Sequence, residues 1–240
     1  MLYNFAGLVV EIEFKHDFGP KLCENYIYHG DRKPDFSVVM TDEMIEEERR
    51  IEENIGSFND AYLESVAAYR KICDIAYDYD CMFMHCSAIS YKGNAILFTA
   101  PSGTGKSTHS RLWKKHFGDD VDMINDDKPL LRIIDGKIYA CGTPWDGKHH
   151  LSKNVMLPVK AIVVLSQSKE NVIGKASKQE LLYHILNQTI RPENPELMNK
   201  ALEFIEKMIR AIPAYKLGCN ISDEAVTTCF EAVKENFNED

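Results

Sequence analysis

The sequence lacks paired cysteines, a long apolar run and a surplus of positive charge, and each lack removes a class of protein. Its seven cysteines are an odd number with no C-x-x-C pair among them, so neither a disulfide framework nor a zinc site built from paired thiolates is expected. No apolar stretch reaches the length of a membrane span. The first residues have neither the basic n-region nor the continuous apolar h-region of a signal peptide, which makes the cytoplasm the expected compartment. A net charge of −9 argues against sequence-independent grip on nucleic acid, where Lys and Arg must outnumber the acids. It leaves a mononucleotide open, because such a site needs only local backbone donors, one or two cations and a metal. Internal repeats and low-complexity linkers are also missing.

What is present is an ordinary globular composition, 45% hydrophobic and 27% charged over 240 residues, enough for one core with a small flanking region. Alternation over residues 2–14 predicts a first strand, and residues 21–28 and 36–40 are further short strand candidates. Thr41 reads as the N-cap of an acidic helix reaching Asn54, whose glutamates, Glu48 and Glu53 among them, are expected to form a solvated face. A second helix is expected over residues 59–77, then a strand over 81–90 carrying His85. Strands at 121–124 and 159–165, a hairpin at 130–141, helices at 178–188 and 194–212, a strand at 215–219 and a helix capped by Ser222 complete the reading. The expected fold is α/β, a mixed sheet flanked by helices, divided into an α+β region at 1–80 and a main domain at 81–240.

The most informative stretch is residues 95–108. An apolar strand, Ala-Ile-Leu-Phe-Thr-Ala, is followed by Pro101, Ser102, Gly103, Thr104, Gly105, Lys106, Ser107 and Thr108 at the start of an amphipathic helix. Backbone N–H groups of such a loop surround a polyphosphate, with the helix N-terminus aimed at it. Lys106 would reach the β- and γ-phosphates, and the Ser107 hydroxyl would hold Mg²⁺. Ala100 stands where the strict G-x-x-x-x-G-K-[ST] pattern has its first glycine, while Gly103 and Gly105 keep the positions where positive φ or close approach matters most.

One helix and one strand further on stand Asp126 and Asp127, where a βαβ unit would return the chain beside the loop. Adjacent aspartates at a strand end point in different directions and can divide the work. One can lie behind the metal held by Ser107, and the other can accept the proton of an attacking hydroxyl. His85, the loop from Pro101 to Ser107 and the Asp126–Asp127 pair resemble, in order and rough spacing, the HPr kinase/phosphorylase family, and more distantly ATP-dependent phosphoenolpyruvate carboxykinase. The resemblance covers roughly residues 81–165. It implies a P-loop kinase core using ATP and Mg²⁺, with His85 at the transferring phosphate, Lys106 stabilising it, Ser107 and Asp126 at the metal, and Asp127 as base. It further implies a hydroxyl acceptor, such as a protein or peptide serine or a small alcohol, and a homo-oligomer. Thr108 departs from the glutamate common after the loop serine in that family.

Residues 142–150 are too rich in functional groups for a plain connector. Lys148, His149 and His150 could meet phosphate or equally face solvent, Asp146 could approach the metal, and Trp145 could stack on a base or pack. Lys128 and Arg132 are further cations that could neutralise phosphate. Two other readings remain: a nucleotide-dependent switch without transfer, with the acidic helix as partner surface, and a carboxykinase, for which no clear arginine cluster is present.

Overall fold

The computed structural model describes residues 1–52, 57–147 and 150–237. Glu53, Asn54, Lys148 and His149, named above, lie outside the described residues. The chain begins with β1 (Leu2–Phe5) and β2 (Leu8–Glu13), followed by α1 (Phe18–Leu22), β3 (Phe36–Val39), α2 (Asp42–Glu52) and α3 (Asp60–Ala76). Next come β4 (Cys81–Phe83), β5 (Ser87–Tyr91), β6 (Asn94–Thr99), α4 (Lys106–Phe117), β7 (Val121–Asn125), β8 (Leu130–Ile134) and β9 (Lys137–Cys141). The last third holds β10 (Met156–Gln167), β11 (Val172–Lys175), α5 (Lys178–Leu186), α6 (Pro195–Ala211), β12 (Ala214–Cys219) and α7 (Asp223–Val233).

The fold is mixed α/β. β1, β2 and β3 form a small sheet, and the main sheet runs β4-β8-β9-β10-β6-β5-β7, with β12 beside β10 and β11 beyond it. Its organising member is β10, twelve residues long. The first part of β10 pairs antiparallel with β9, while its later residues lie between β6 and β12, parallel to both. A strand buried on both faces reads as a continuous apolar run, as Ala161, Ile162 and Val163 do.

β5 is antiparallel to β6 and to β7, so β7 runs parallel to β6 with one strand between them. The crossover through α4 therefore returns one strand away from the loop rather than beside it. The carboxyl ends of β6, β7, β10 and β12 thus share one edge, the edge at which open α/β sheets bind ligands.

Three buried clusters fill the layers. α4 and α7 cover one face of the main sheet around Trp113, Phe98 and Val226, and α5 and α6 cover the other around Phe204, Ile205 and Leu97. The third joins the small sheet and α3 to β4, β8 and Trp145.

Local chemistry accounts for most boundaries. Asn59 Oδ1 accepts the Tyr62 N–H at 2.9 Å to cap α3, Ser177 and Glu180 make a reciprocal capping box on α5, and Asn194 caps α6 ahead of Pro195.

Four of these expectations are corrected, and one strand was not foreseen. The first strand is a hairpin, because Ala6 and Gly7, with φ of 53° and 77°, make a turn that reverses the chain. Residues 21–28 are not a strand: α1 starts after Asp17, tolerates Pro20 in its first turn, and is followed by a short 3₁₀ turn at Glu24–Tyr26. His85 does not lie on a strand, since the chain leaves β8 as partner after Phe83 and joins β6 at Ser87 and β7 at Ala88, with residues 84–86 between. Glu48 is not on a solvated face; it is 1% exposed and takes a bidentate pair from Arg70 at 2.7 and 2.8 Å. β11 was not foreseen; it is a short antiparallel edge strand, whose Val172, Gly174 and Lys175 are exposed.

Trp145 packs. It is 6% exposed, lies 4.5 Å from the Tyr69 ring and 5.6 Å from Phe5, and donates its indole N–H to the Ser65 carbonyl at 2.9 Å. Trp145→Ala opens a cavity and strands that carbonyl, so urea unfolding is expected to show a loss of about 3–5 kcal/mol. A loss under about 1 kcal/mol would show that the small sheet and α3 do not depend on this contact.

Candidate functional site

The loop after β6 has the backbone its glycines allow. Gly103 and Gly105 have φ of 78° and 117°, and a Cβ on either would meet no atom within 4 Å, so the demand for glycine there is conformational rather than steric. Pro101, Ser102 and Gly103 are exposed, and Thr104, Gly105, Ser107 and Thr108 are half-buried. Thr104 N–H bonds to the Pro101 carbonyl at 3.3 Å, and α4 starts at Lys106.

The Lys106 side chain folds back under the loop. It is 7% exposed, and its Nζ donates to the Ala100 carbonyl at 2.9 Å. Burial pulls its pKa below the ordinary lysine value, against the opposing fields of Asp127 and Asp126.

The aspartates sit in a turn built by Asn125, which is fully buried at the end of β7. Its Oδ1 accepts from the N–H groups of Asp127 and Lys128 at 2.9 and 2.7 Å. Its Nδ2 donates to Thr143 O and Oγ1 and to Trp145 O. Thr143 Oγ1 and the Tyr69 hydroxyl both donate to the Lys128 carbonyl at 2.7 Å.

Asp126 Oδ1 accepts from the Ser87 hydroxyl at 2.7 Å, and Ser87 Oγ lies 2.7 Å from Ser110 Oγ on α4. Asp127 is held on both oxygens, Oδ1 by His85 Nε2 at 3.2 Å and Oδ2 by Lys128 Nζ at 3.0 Å. Burial alone would raise the Asp127 pKa; the His85 hydrogen bond and the Lys128 charge outweigh it and hold the carboxyl below its ordinary value.

The structure therefore brings His85 against Asp127 and ties Asp126 through Ser87 to the helix that begins at Lys106. His85 is fixed from behind, its N–H donating to the Gln188 carbonyl at 2.6 Å. Thr99, the last residue of β6, lies with Oγ1 3.1 Å from His184 Nε2 on α5. Burial first, and then the charge of Lys106, lowers the His184 pKa, so this ring faces the site as a neutral group.

Ser87, Asn125 and His184 were not among the expected residues. Asn125 had a signal, an asparagine two residues ahead of a turn, which is the pattern of an Asx turn. Ser87 and His184 had none, since their partners lie 39 and 85 positions away.

The other candidates find different partners. Arg132 Nη1 donates to the Ala6 carbonyl at 2.6 Å, tying β8 to the first hairpin. Asp146 is 3% exposed and accepts from the Ser152 N–H at 2.7 Å, with His150 Nδ1 3.1 Å away, which makes it a loop anchor.

The structure is similar to that of the Hpr(Ser) kinase/phosphatase from Coxiella burnetii, at 12% identity and a TM-score of 0.36, over 65% of this chain and 95% of that one. No family model matches the chain, and no curated protein matches it in sequence.

No group of three or more His, Cys, Asp or Glu suited to a metal occurs among the described residues. A cavity of about 520 Å³ adjoins the loop between α4 and the ends of β10 and β12, a size ordinary for a small-molecule site. His109 of α4 borders it, 3% exposed, its pKa pushed down to about 4 by burial.

Two outcomes are expected. Asn125→Ala removes the hydrogen bonds that set the aspartate turn and should lower stability by roughly 2–4 kcal/mol in denaturant titrations; a change within about 0.5 kcal/mol, the scatter of surface substitutions, would mean that the turn holds itself. Because the folded His109 pKa lies below the unfolded one, the unfolded chain binds the extra proton. Stability is then full above about pH 6.5 and lost as pH falls toward 4, by about 3 kcal/mol for this residue. His109→Gln should flatten that part of the stability-versus-pH curve, and an unchanged curve would assign the acid sensitivity elsewhere.

Proposed function

We infer that the chain is a phosphotransferase with a P-loop core of the HPr-kinase type over residues 81–240, moving the terminal phosphoryl of ATP to a hydroxyl acceptor. The observation that carries this reading is the meeting at one sheet edge of a phosphate-binding loop and an aspartate turn, the first after β6 and the second after the parallel strand β7. A loop alone supports binding; the adjacent carboxylates supply a proton acceptor and an oxygen for a metal.

In this reading the loop N–H groups from Ser102 to Ser107 hold the phosphates, and Lys106 leaves the Ala100 carbonyl for the β- and γ-phosphates. A buried ammonium whose pKa burial has lowered gains most from an anion, which restores the charged form. The Ser107 hydroxyl and the Asp126 carboxylate are hard oxygen donors that fit Mg²⁺, which keeps waters and substrate phosphates as its other ligands and needs no all-protein cage. When bound, Mg²⁺ neutralises charge on the phosphates.

Ser87 would keep Asp126 turned toward that position. Asp127 would accept the proton of the attacking hydroxyl as its oxygen bonds to the γ-phosphorus and the bond to the β,γ-bridging oxygen breaks, leaving ADP. His85 and Lys128, now on Asp127, would join Lys106 as donors to the transferring group in this arrangement.

The test is label transfer from γ-labelled ATP to acceptors in an extract of the protein's own cells. Lys106→Ala should abolish transfer. Asp127→Asn should keep ATP affinity within about threefold while lowering turnover roughly 10²- to 10⁴-fold, the range for a lost general base. Unchanged turnover removes Asp127 from the base role. ATP binding without transfer to any acceptor favours the switch.

A further inference from the structure

Two buried hydroxyls stand behind Asp126. Ser87 is fully buried and Ser110 is 1% exposed. Ser87 Oγ donates to Asp126 Oδ1 at 2.7 Å and lies 2.7 Å from Ser110 Oγ. A hydroxyl has one proton and a carboxylate has none to give, so the Ser87 proton is committed to Asp126. Met123 Sδ, 3.9 Å from the same hydroxyl, is a weak acceptor and does not compete. The bond between the two serines therefore has one direction, with Ser110 donating and Ser87 accepting. The protons point along the chain Ser110, Ser87, Asp126, and each bond polarises the next.

This chain commits one oxygen of Asp126 and leaves the other. Oδ1 is taken by Ser87, while Oδ2 has no partner among the described residues. Ser110 also follows Ser107 by three positions on α4, so the two side chains share one face of that helix. The helix face that anchors Ser87, and through it Asp126, is thus the face that carries the Ser107 hydroxyl. With Oδ1 committed, the carboxylate can give a cation a single oxygen. A two-oxygen grip, common for Ca²⁺, would break the Ser87 bond and leave a buried hydroxyl unpaired. Mg²⁺ demands a near-ideal octahedron and fills it with waters and phosphates beside one or two carboxylates, so a single fixed oxygen suits it.

We propose that the Ser110–Ser87 hydroxyl chain sets the choice of metal: it holds Asp126 as a single-oxygen ligand and so favours Mg²⁺ and Mn²⁺ over Ca²⁺. Ser87 and Ser110 are positioning residues that act through Asp126 without touching the ion. The inference rests on the reading of Ser107 and Asp126 as metal-side donors and adds to it what selects the ion.

Mn²⁺ bound to the full chain with an imido-bridged ATP analogue, followed by electron paramagnetic resonance and displaced by Mg²⁺ or Ca²⁺, tests this without turnover. Mg²⁺ should displace Mn²⁺ from the unaltered chain at a roughly tenfold lower concentration than Ca²⁺, the scale of one hydrogen bond to a charged group. Ser87→Ala keeps nearly the same volume but no donor, and should bring the two concentrations within about twofold of each other. Ser110→Ala, which leaves the Ser87–Asp126 bond in place, should cut the preference about threefold. Added to Ser87→Ala it should change nothing further, because the chain is already broken. An intact preference in Ser87→Ala, or additive effects of the two substitutions, overturns the proposal and leaves the metal site standing. Equal weakening of all three ions shows a general structural role and overturns it as well. Failure of the unaltered chain with the analogue to bind Mn²⁺ overturns both the proposal and the metal-site reading.

Discussion

The pairing of β10 with β6 on one side and β12 on the other is the constraint on which the site depends. Parallel neighbours deliver their carboxyl ends to one edge, and β10 is held in that register from Ile162 to Val164 on both sides at once. A slip of one residue would turn Ala161, Ile162 and Val163 onto the wrong faces and bury polar neighbours. The antiparallel β5 then fixes β7 in the same sense, and its own start, Ser87, falls at the edge where β6 and β7 end. This is why the first residue of β5 and a histidine just before it meet aspartates from after β7.

Electrostatics set a second condition. Lys106 is buried before any anion reaches it, and its ammonium donates to the Ala100 carbonyl, which takes one of its three donors. The ammonium is therefore held in a neutral dipole's field with two carboxylates acting from the neighbouring turn. Those carboxylates are themselves matched, Asp127 by His85 and Lys128, and Asp126 by Ser87. Loop and turn are thus joined through Ser87 and Ser110, while the Lys106 ammonium still has donors that a carbonyl alone does not use, so an anion at the loop would give it a charged acceptor.

How much of this was legible follows from the range of each interaction. The strand-loop-helix at 94–117, the hairpin at 130–141 and the capped helices rest on local chemistry, and the sequence carries that chemistry within a few residues: glycines with positive φ, Asn59, Asn194, Ser177 and Ser222. Where a neighbour distant in sequence decides, periodicity misleads. The run from 81 to 90 alternates like one strand, but its two halves pair with different strands, and the break is where His85 leaves the ladder. Residues 21–28 are apolar enough for a strand, yet α1 runs into them as far as Leu22 and a 3₁₀ turn follows at Glu24–Tyr26. Glu48 reads as one glutamate among many until Arg70, 22 residues on, meets it in the core. His184 and Ser87 belong to the same class: nothing near them in sequence marks them, and the fold alone brings them to Thr99 and Asp126.

Ala100 shows how the loop meets its motif with one glycine fewer. The first glycine of the pattern would be needed if that position required positive φ or if a Cβ there met backbone. Neither holds: Ala100 is not among the residues with positive φ, and its methyl is fully buried in the cluster with Phe98 and Trp113. The methyl group fills space against those rings that a glycine would leave empty, in a core where small voids are felt. Its carbonyl stays free to take the Lys106 ammonium. Gly103 and Gly105 have the opposite situation, with open space for a Cβ and a backbone that a side chain would strain. What the loop requires is therefore the two left-handed turns and a carbonyl beneath the lysine, and alanine supplies the last of these as well as glycine does while binding the strand end more firmly into the sheet.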